Sequence, residues 1–141
     1  ELLASSGVTG VTLKFGYQAN NVPQQRQAAI IQQNLKEIGI NVELAAGEPN
    51  AIYQQMENAD TDYDMFLNGY IMGIDPDKYN ALFISTSPSN FMHSNNPEVD
   101  RLFDLGRVET DTAKRQEIYT EIQKIIQDDA YFFPLLENRE L

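Results

Sequence analysis

Two segments of alternating hydrophobicity flank a helical stripe near the start of the chain, and this arrangement limits the possible folds more than any other feature. Apolar side chains alternate in VTLKFGY, Val11 to Tyr17, and again in INVELAA, Ile40 to Ala46. A period of two predicts strands. The segment between them carries apolar residues at helical spacing: Ala28, Ile31, Leu35 and Ile38. Because the joints are short, we predict a βαβ unit with parallel strands and a right-handed crossover.

Later segments continue the same pattern. Pro49 opens a predicted helix that carries Ile52 and Met56 on one face. The apolar run YDMFLNGYI, Tyr63 to Ile71, predicts a third strand of the same sheet, buried on both faces. A short helical piece is predicted at about Ala81 to Ile84, followed by a polar loop.

Two helices and a closing strand complete the predicted order. Asn96 before Pro97 is typical of a helix cap, and the next cap is Thr110 or Asp111. The last helix carries a stripe formed by Ile118, Ile122, Ile125 and Ile126. AYFFPLL, which starts at Ala130, predicts a short strand. We therefore predict one α/β domain over residues 1–141, with a mostly parallel or mixed sheet flanked by helices.

Composition narrows the possible functions. The 141 residues are 42% hydrophobic and include no cysteine, which favours one compact domain without disulfides or thiolate metal sites. The formal net charge of −11 disfavours nucleic acid as a partner and favours a cationic or zwitterionic ligand. No apolar run approaches the roughly 20 residues of a transmembrane helix. The opening ELLASSG is typical of a helix closed by Gly7, so we expect the chain to be cut from a longer protein.

The segment NGYIMGIDP is the strongest candidate for a binding site. Tyr70 and Met72 leave the carboxyl end of the predicted third strand, which is where open α/β sheets bind ligands. Gly69 and Gly73 allow close approach of the backbone, and Asp75 before a proline favours an Asx turn. These residues alone leave two interpretations open, an ordinary turn and the lip of a ligand site.

Other candidate sites have weaker support. DTDYD, Asp60 to Asp64, has carboxylates at the first, third and fifth positions of a calcium loop, but the sixth and twelfth are Met65 and Ile71. His93 is the only histidine, and the chain has no G-x-S-x-G nucleophile elbow. We therefore assign no catalytic residue, no metal ligand and no cofactor. A small acid/base hydrolase and an interaction module with an uncovered face stay as alternatives.

Several pieces, in order along the chain, resemble one known family. They are the strand followed by AAIIQQNLKEIGINVEL, then YDM, the GY…DPD elbow, NPEVD, and ETDTAKR with a tyrosine four residues on. This order is similar to that of the extracellular solute-binding proteins of family 5, the oligopeptide- and dipeptide-binding receptors of bacterial ABC importers. The resemblance implies a periplasmic-binding-protein-like lobe of type II. It corresponds to the C-terminal lobe of a two-lobed protein.

The resemblance also implies a function. Such a receptor is not an enzyme; it binds peptides, here expected to be oligopeptides, between this lobe and an N-terminal lobe, and delivers them to ABC permease subunits. It lies outside the cytoplasm and is expected to be lipid-anchored. The same family also binds nickel chelates and sugars, which stay as alternatives. Members that bind short peptides often hold the peptide amine with an Asp where this chain has Gly73. The implied ligand-binding residues are Asn68, Gly69, Tyr70, Ile71, Met72, Gly73 and Asp75.

Overall fold

The computed structural model describes residues 2–136 of the chain. They divide into two units between Tyr70 and Ile71. The first unit contains helices and strands, whereas the described part of the second unit contains helices and loops. Within residues 2–136, no helix combines the length and the hydrophobicity that crossing a bilayer requires.

The first unit is a three-stranded sheet with helices between its strands. Its elements are α1 (Leu2–Ser6), β1 (Thr12–Gln18), α2 (Val22–Glu37), β2 (Asn41–Gly47), α3 (Pro49–Glu57) and β3 (Met65–Phe66). The strand order is β2-β1-β3, and both neighbouring pairs are parallel. The predicted parallel pair of β1 and β2 is therefore confirmed.

Local signals fix both ends of α2. Asn21 Oδ1 accepts a hydrogen bond from the Gln24 amide (3.1 Å), and Pro23 lies in the first turn, where its missing N–H costs nothing. Gly39 follows the helix with a φ of 88°, a conformation that glycine adopts without strain. Ala28 is fully buried, whereas Ile38, the predicted end of the stripe, caps the helix and is 59% exposed.

Helices cover both faces of the sheet. On one face, Phe15 and Val42 of the sheet form a single core cluster with Ala28 of α2 and Leu67. On the other face, a Cβ at Gly47 would lie 3.0 Å from Ile52 of α3. Since Phe15 pairs with Leu44 and Gly47 pairs with Gln18, these two contacts lie on opposite sides of the sheet. The first unit is therefore a small α/β layer structure.

The third strand is shorter than predicted. The sequence predicts a strand buried on both faces over Tyr63–Ile71, but β3 holds only Met65 and Phe66, which are both partly buried. It begins after Asp64, whose Oδ2 accepts the Lys14 amide (2.7 Å), and pairing stops at the bond from the Leu67 amide to the Gly16 carbonyl (2.9 Å). Asn68 Oδ1 then accepts the Gly69 amide, which takes that donor away from the sheet.

The second unit is built around two long helices. A 3₁₀ turn (Pro76–Tyr79) leads into α4 (Asn80–Phe83), followed by α5 (Pro97–Val108) and α6 (Thr112–Asp129). The predicted caps are confirmed: Asn96 Oδ1 accepts the Glu98 amide and Asp111 Oδ1 accepts the Lys114 amide. Buried apolar residues from all these helices form the core, namely Leu82, Phe83, Val99, Leu102, Phe103, Tyr119, Ile122 and Ile126.

The predicted closing strand over Ala130–Leu136 is wrong. Ala130 ends α6 in the left-handed conformation (φ 56°), and residues 131–136 are not in a strand. The rings of Tyr131 and Phe132 instead pack near Phe83, with centroids 6.4 and 5.3 Å away. No strand is present in the described part of this unit.

Candidate functional site

The carboxyl ends of the three strands lie at the same edge of the sheet because the strands are parallel. This edge is where ligands bind in open α/β sheets. The backbone that follows β1 is tied to the end of β2 by a hydrogen bond from the Ala19 amide to the Gly47 carbonyl (2.8 Å). Beyond β3, the chain reaches this edge at Asn68 and leaves it without forming a helix or strand.

Asn68 organises a polar cluster at this edge. Its Oδ1 accepts hydrogen bonds from the Tyr53 hydroxyl (3.3 Å) and from the Gly69 amide (2.8 Å). Its Nδ2 donates to the Tyr70 hydroxyl oxygen (3.2 Å). Burial raises the pKa of Tyr70, so its phenol stays protonated and its O–H remains a donor at neutral pH. The cluster therefore presents donors and acceptors of fixed orientation and no net charge.

Three of the predicted residues thus come together on the first unit, and a fourth participant is new. Asn68, Gly69 and Tyr70 belong to one hydrogen-bonded cluster, which Tyr53 of α3 completes. The sequence pattern identifies α3 only through its two buried residues, Ile52 and Met56. A tyrosine beside them gives no signal of its own, because its role depends on how α3 lies against the sheet.

The other predicted residues belong to the second unit and precede its 3₁₀ turn. Ile71 is fully exposed, Met72 is partly buried, and Gly73 is exposed. A Cβ at Gly73 would meet only Lys78 Cγ at 3.6 Å, an ordinary contact distance. This bend, which we define as residues 71–75, therefore offers apolar side chains and accessible backbone.

Asp75 ends the bend and is already engaged within the protein. Its Oδ1 accepts hydrogen bonds from the Asp77 amide (2.8 Å) and from Nη2 of Arg115 (2.7 Å). The Arg115 guanidinium lowers the pKa of the Asp75 carboxyl, so that this group stays ionised well into the acid range. Asp75 and Arg115 lie 40 positions apart in the sequence, so no local pattern predicts their pairing.

The residues considered for other chemistry have structural partners. Asp62 pairs with the Lys14 ammonium (2.6 Å), and Asp64 accepts the Lys14 amide. Asp77 accepts a hydrogen bond from the Tyr119 hydroxyl (3.2 Å). Within residues 2–136, no group of three or more His, Cys, Asp or Glu side chains is arranged to hold a metal ion. His93 lies in the loop before α5 with a φ of 50°.

A parallel sheet covered by helices, with a polar cluster at its carboxyl edge, is the arrangement in which open α/β proteins bind ligands. The sequence profile of the bacterial extracellular solute-binding proteins, family 5 Middle, matches residues 1–92. The chain belongs to this family, as its motifs predicted. Members of the family are solute-binding proteins by description.

Solved and curated relatives agree with this assignment. The ABC transporter substrate-binding protein CtaP of Listeria monocytogenes superposes with a TM-score of 0.86 and 40% identity, over 92% of this chain and 27% of CtaP. The predicted periplasmic-binding-protein-like fold is thereby confirmed. The oligopeptide-binding protein AppA of Bacillus subtilis is 28% identical over 137 residues, which are 94% of this chain and 25% of AppA.

A third relative is described by its name as a periplasmic protein. The peptide transport periplasmic protein SapA of Salmonella typhimurium is 27% identical over 150 aligned residues, covering 100% of this chain and 27% of SapA. The chain thus spans about a quarter of the length of each of these relatives.

Proposed function

We propose that this chain forms the C-terminal lobe of a solute receptor that binds peptides for an ABC importer. The solute would lie between this lobe and an N-terminal lobe of the same protein. The observation that carries the proposal is the family membership of the chain, together with one relative named for oligopeptide binding and one named for peptide transport.

The proposed contacts suit the main chain of an extended peptide. On the first unit, Asn68, Gly69 and Tyr70 offer fixed polar groups at the carboxyl edge of the sheet. On the second unit, Ile71, Met72 and Gly73 offer backbone outside any helix or strand and apolar side chains. Such contacts do not depend on the solute's sequence, because every peptide has the same N–H and C=O groups.

The anchor for a peptide amine differs from that of receptors for short peptides. The family resemblance assigns that role to the position of Gly73, which has no carboxylate. Asp75 is the nearest carboxylate along the chain, and both its hydrogen bonds end on Oδ1. We propose that Oδ2 faces the solute and that affinity comes mainly from the peptide main chain. This favours oligopeptides over dipeptides.

The remaining parts of the proposal concern the whole receptor. It acts by binding and release alone, needs no cofactor, and passes its solute to membrane permease subunits by closing its lobes. It works outside the cytoplasm, held to the membrane by a lipid anchor. The family description and the name of SapA support the extracytoplasmic location.

A thermal-shift experiment on the full-length receptor tests this function. A ligand that binds only the folded state at 100 times its Kd stabilises it by about 2.7 kcal/mol. We expect oligopeptides to raise the Tm, and dipeptides to raise it less at equal concentration. A rise with a nickel chelate or an oligosaccharide, and none with any peptide, would contradict the peptide assignment.

A further inference from the structure

Two side chains of α6 hold the end of the bend. Arg115 donates from Nη2 to Asp75 Oδ1 (2.7 Å) and from Nε to the Gly106 carbonyl of α5 (2.9 Å). The second bond fixes the plane of the guanidinium and with it the position of Nη2 against Asp75. A lysine has no such fork and could not make both bonds with one fixed geometry.

Tyr119 connects the same region to the core. Its ring is 6% exposed and packs edge-on against Phe103, with centroids 6.1 Å apart. Its hydroxyl donates to Asp77 Oδ1 (3.2 Å) and accepts from Arg115 Nη2 (3.4 Å). The guanidinium carbon of Arg115 also lies 4.9 Å from the centre of the Tyr119 ring. One buried ring thus orients both the arginine and the second aspartate.

Both aspartates of the D-P-D elbow therefore accept hydrogen bonds from side chains of α6. We propose that Arg115 and Tyr119 are positioning residues for solute binding, which set the orientation of the Asp75 carboxylate and the conformation of the bend. Neither residue contacts the solute. The proposal rests on the proposed function for its effect on affinity, but its structural part can be tested without any solute.

The structural test compares variants of the 141-residue chain by NMR. Arg115→Gln should raise the pKa of Asp75 toward its usual value and lower the backbone order parameters of the bend. Arg115→Lys should restore the ionised state in part but not the order. The matched control is Arg101→Gln, which removes the same charge from an exposed pair with Glu98 on α5 (2.6 Å).

The functional test measures oligopeptide affinity in the full-length receptor carrying the same substitutions. We expect Arg115→Gln to weaken binding about tenfold, the size of one hydrogen bond to a charged group, and Arg101→Gln to leave it unchanged. Tyr119→Phe keeps the buried ring and removes only the hydroxyl, and it should lower the order of the 3₁₀ turn.

Each outcome decides one part of the proposal. An unchanged Asp75 pKa and unchanged order parameters in Arg115→Gln would overturn the positioning role. If Arg115→Gln does not fold, Asp75→Asn in the intact background gives the same comparison of bend order. A wild-type receptor that binds no peptide would overturn the proposed function, while the NMR result would still judge the positioning. Equal losses in Arg115→Gln and Arg101→Gln would reduce the effect to net charge and contradict the proposal.

Discussion

At the scale of single residues, the carboxyl edge of the sheet depends on one amide side chain. Asn68 uses its oxygen for Tyr53 and the Gly69 amide and its nitrogen for Tyr70. The position of Asn68 at this edge could be predicted, because it follows an apolar segment that leads out of the sheet. The identity of its partners could not, because Tyr53 comes from another element.

Replacing Tyr70 by Phe should weaken solute binding more than it weakens the fold. The ring remains, but the acceptor for Asn68 Nδ2 is lost, at a cost of about 0.5–1.5 kcal/mol in the free energy of unfolding. Tyr63→Phe is the control, because the stacking of its ring on Phe66 (5.1 Å) is kept. Urea denaturation and peptide titration of both variants give the comparison, and equal affinities for the two would contradict a role for the Tyr70 hydroxyl.

The ion pair between Asp75 and Arg115 should make stability depend on pH in the acid range. Since Arg115 lowers the pKa of folded Asp75, the stabilisation is fully present above the unfolded value of about 3.9 and is lost as the pH falls through the folded pKa. Asp75→Asn should therefore be less stable than the wild type at neutral pH, with the difference shrinking below about pH 4. Urea denaturation at several pH values measures it, and a pH-independent difference would show that the charge has no part in it.

At the scale of elements, the helices follow from local chemistry, whereas the predicted length of the third strand and the predicted closing strand are wrong. The caps at Asn96 and Asp111 could be predicted from the sequence, because the side chain of a capping Asn or Asp bonds an amide only two or three residues further on. The apolar character of the segment around β3 has another origin. Phe66 packs over Gly16, and Ile71 is fully exposed, so neither reports a long buried strand.

The tail after α6 shows the same limit. Its aromatic residues match a strand pattern because they are apolar, but Tyr131 and Phe132 pack on Phe83 through their rings and Phe133 is exposed. An apolar run need not be a buried, paired strand, and periodicity alone cannot identify a strand in so short a segment.

The contact between β1 and β3 should not tolerate a methyl group at Gly16. A Cβ there would lie 2.6 Å from the ring of Phe66 and 2.8 Å from that of Tyr63. Gly16→Ala should therefore lower the free energy of unfolding by about 1–3 kcal/mol through overpacking. Gly69→Ala is the control for stability, because nothing lies within 4 Å of its added Cβ. Chemical denaturation that found the two variants equally stable would contradict this packing.

At the scale of the whole molecule, the family could be identified from motifs that occur in a fixed order along the chain. Two of these motifs are in contact in the structure. The DPD elbow and the ETDTAKR segment lie far apart in sequence, yet Asp75 of the first pairs with Arg115 of the second. The sequence shows both segments but not the contact between them, because a pairing between distant positions leaves no periodic pattern.

The 141-residue chain alone should bind peptide much more weakly than the full-length receptor. In our proposal half of the contacts come from the N-terminal lobe, and the closure that sequesters the solute needs both lobes. Isothermal titration of both forms with the same oligopeptide measures the difference. Micromolar binding by the 141-residue chain would contradict a solute held between lobes.

A crystal structure of the full-length receptor with a bound oligopeptide tests the central claim most directly. The account predicts main-chain atoms of the peptide within hydrogen-bonding distance, about 2.7–3.2 Å, of groups in the segment from Asn68 to Gly73. A bound peptide that leaves this segment in contact with solvent alone would contradict it.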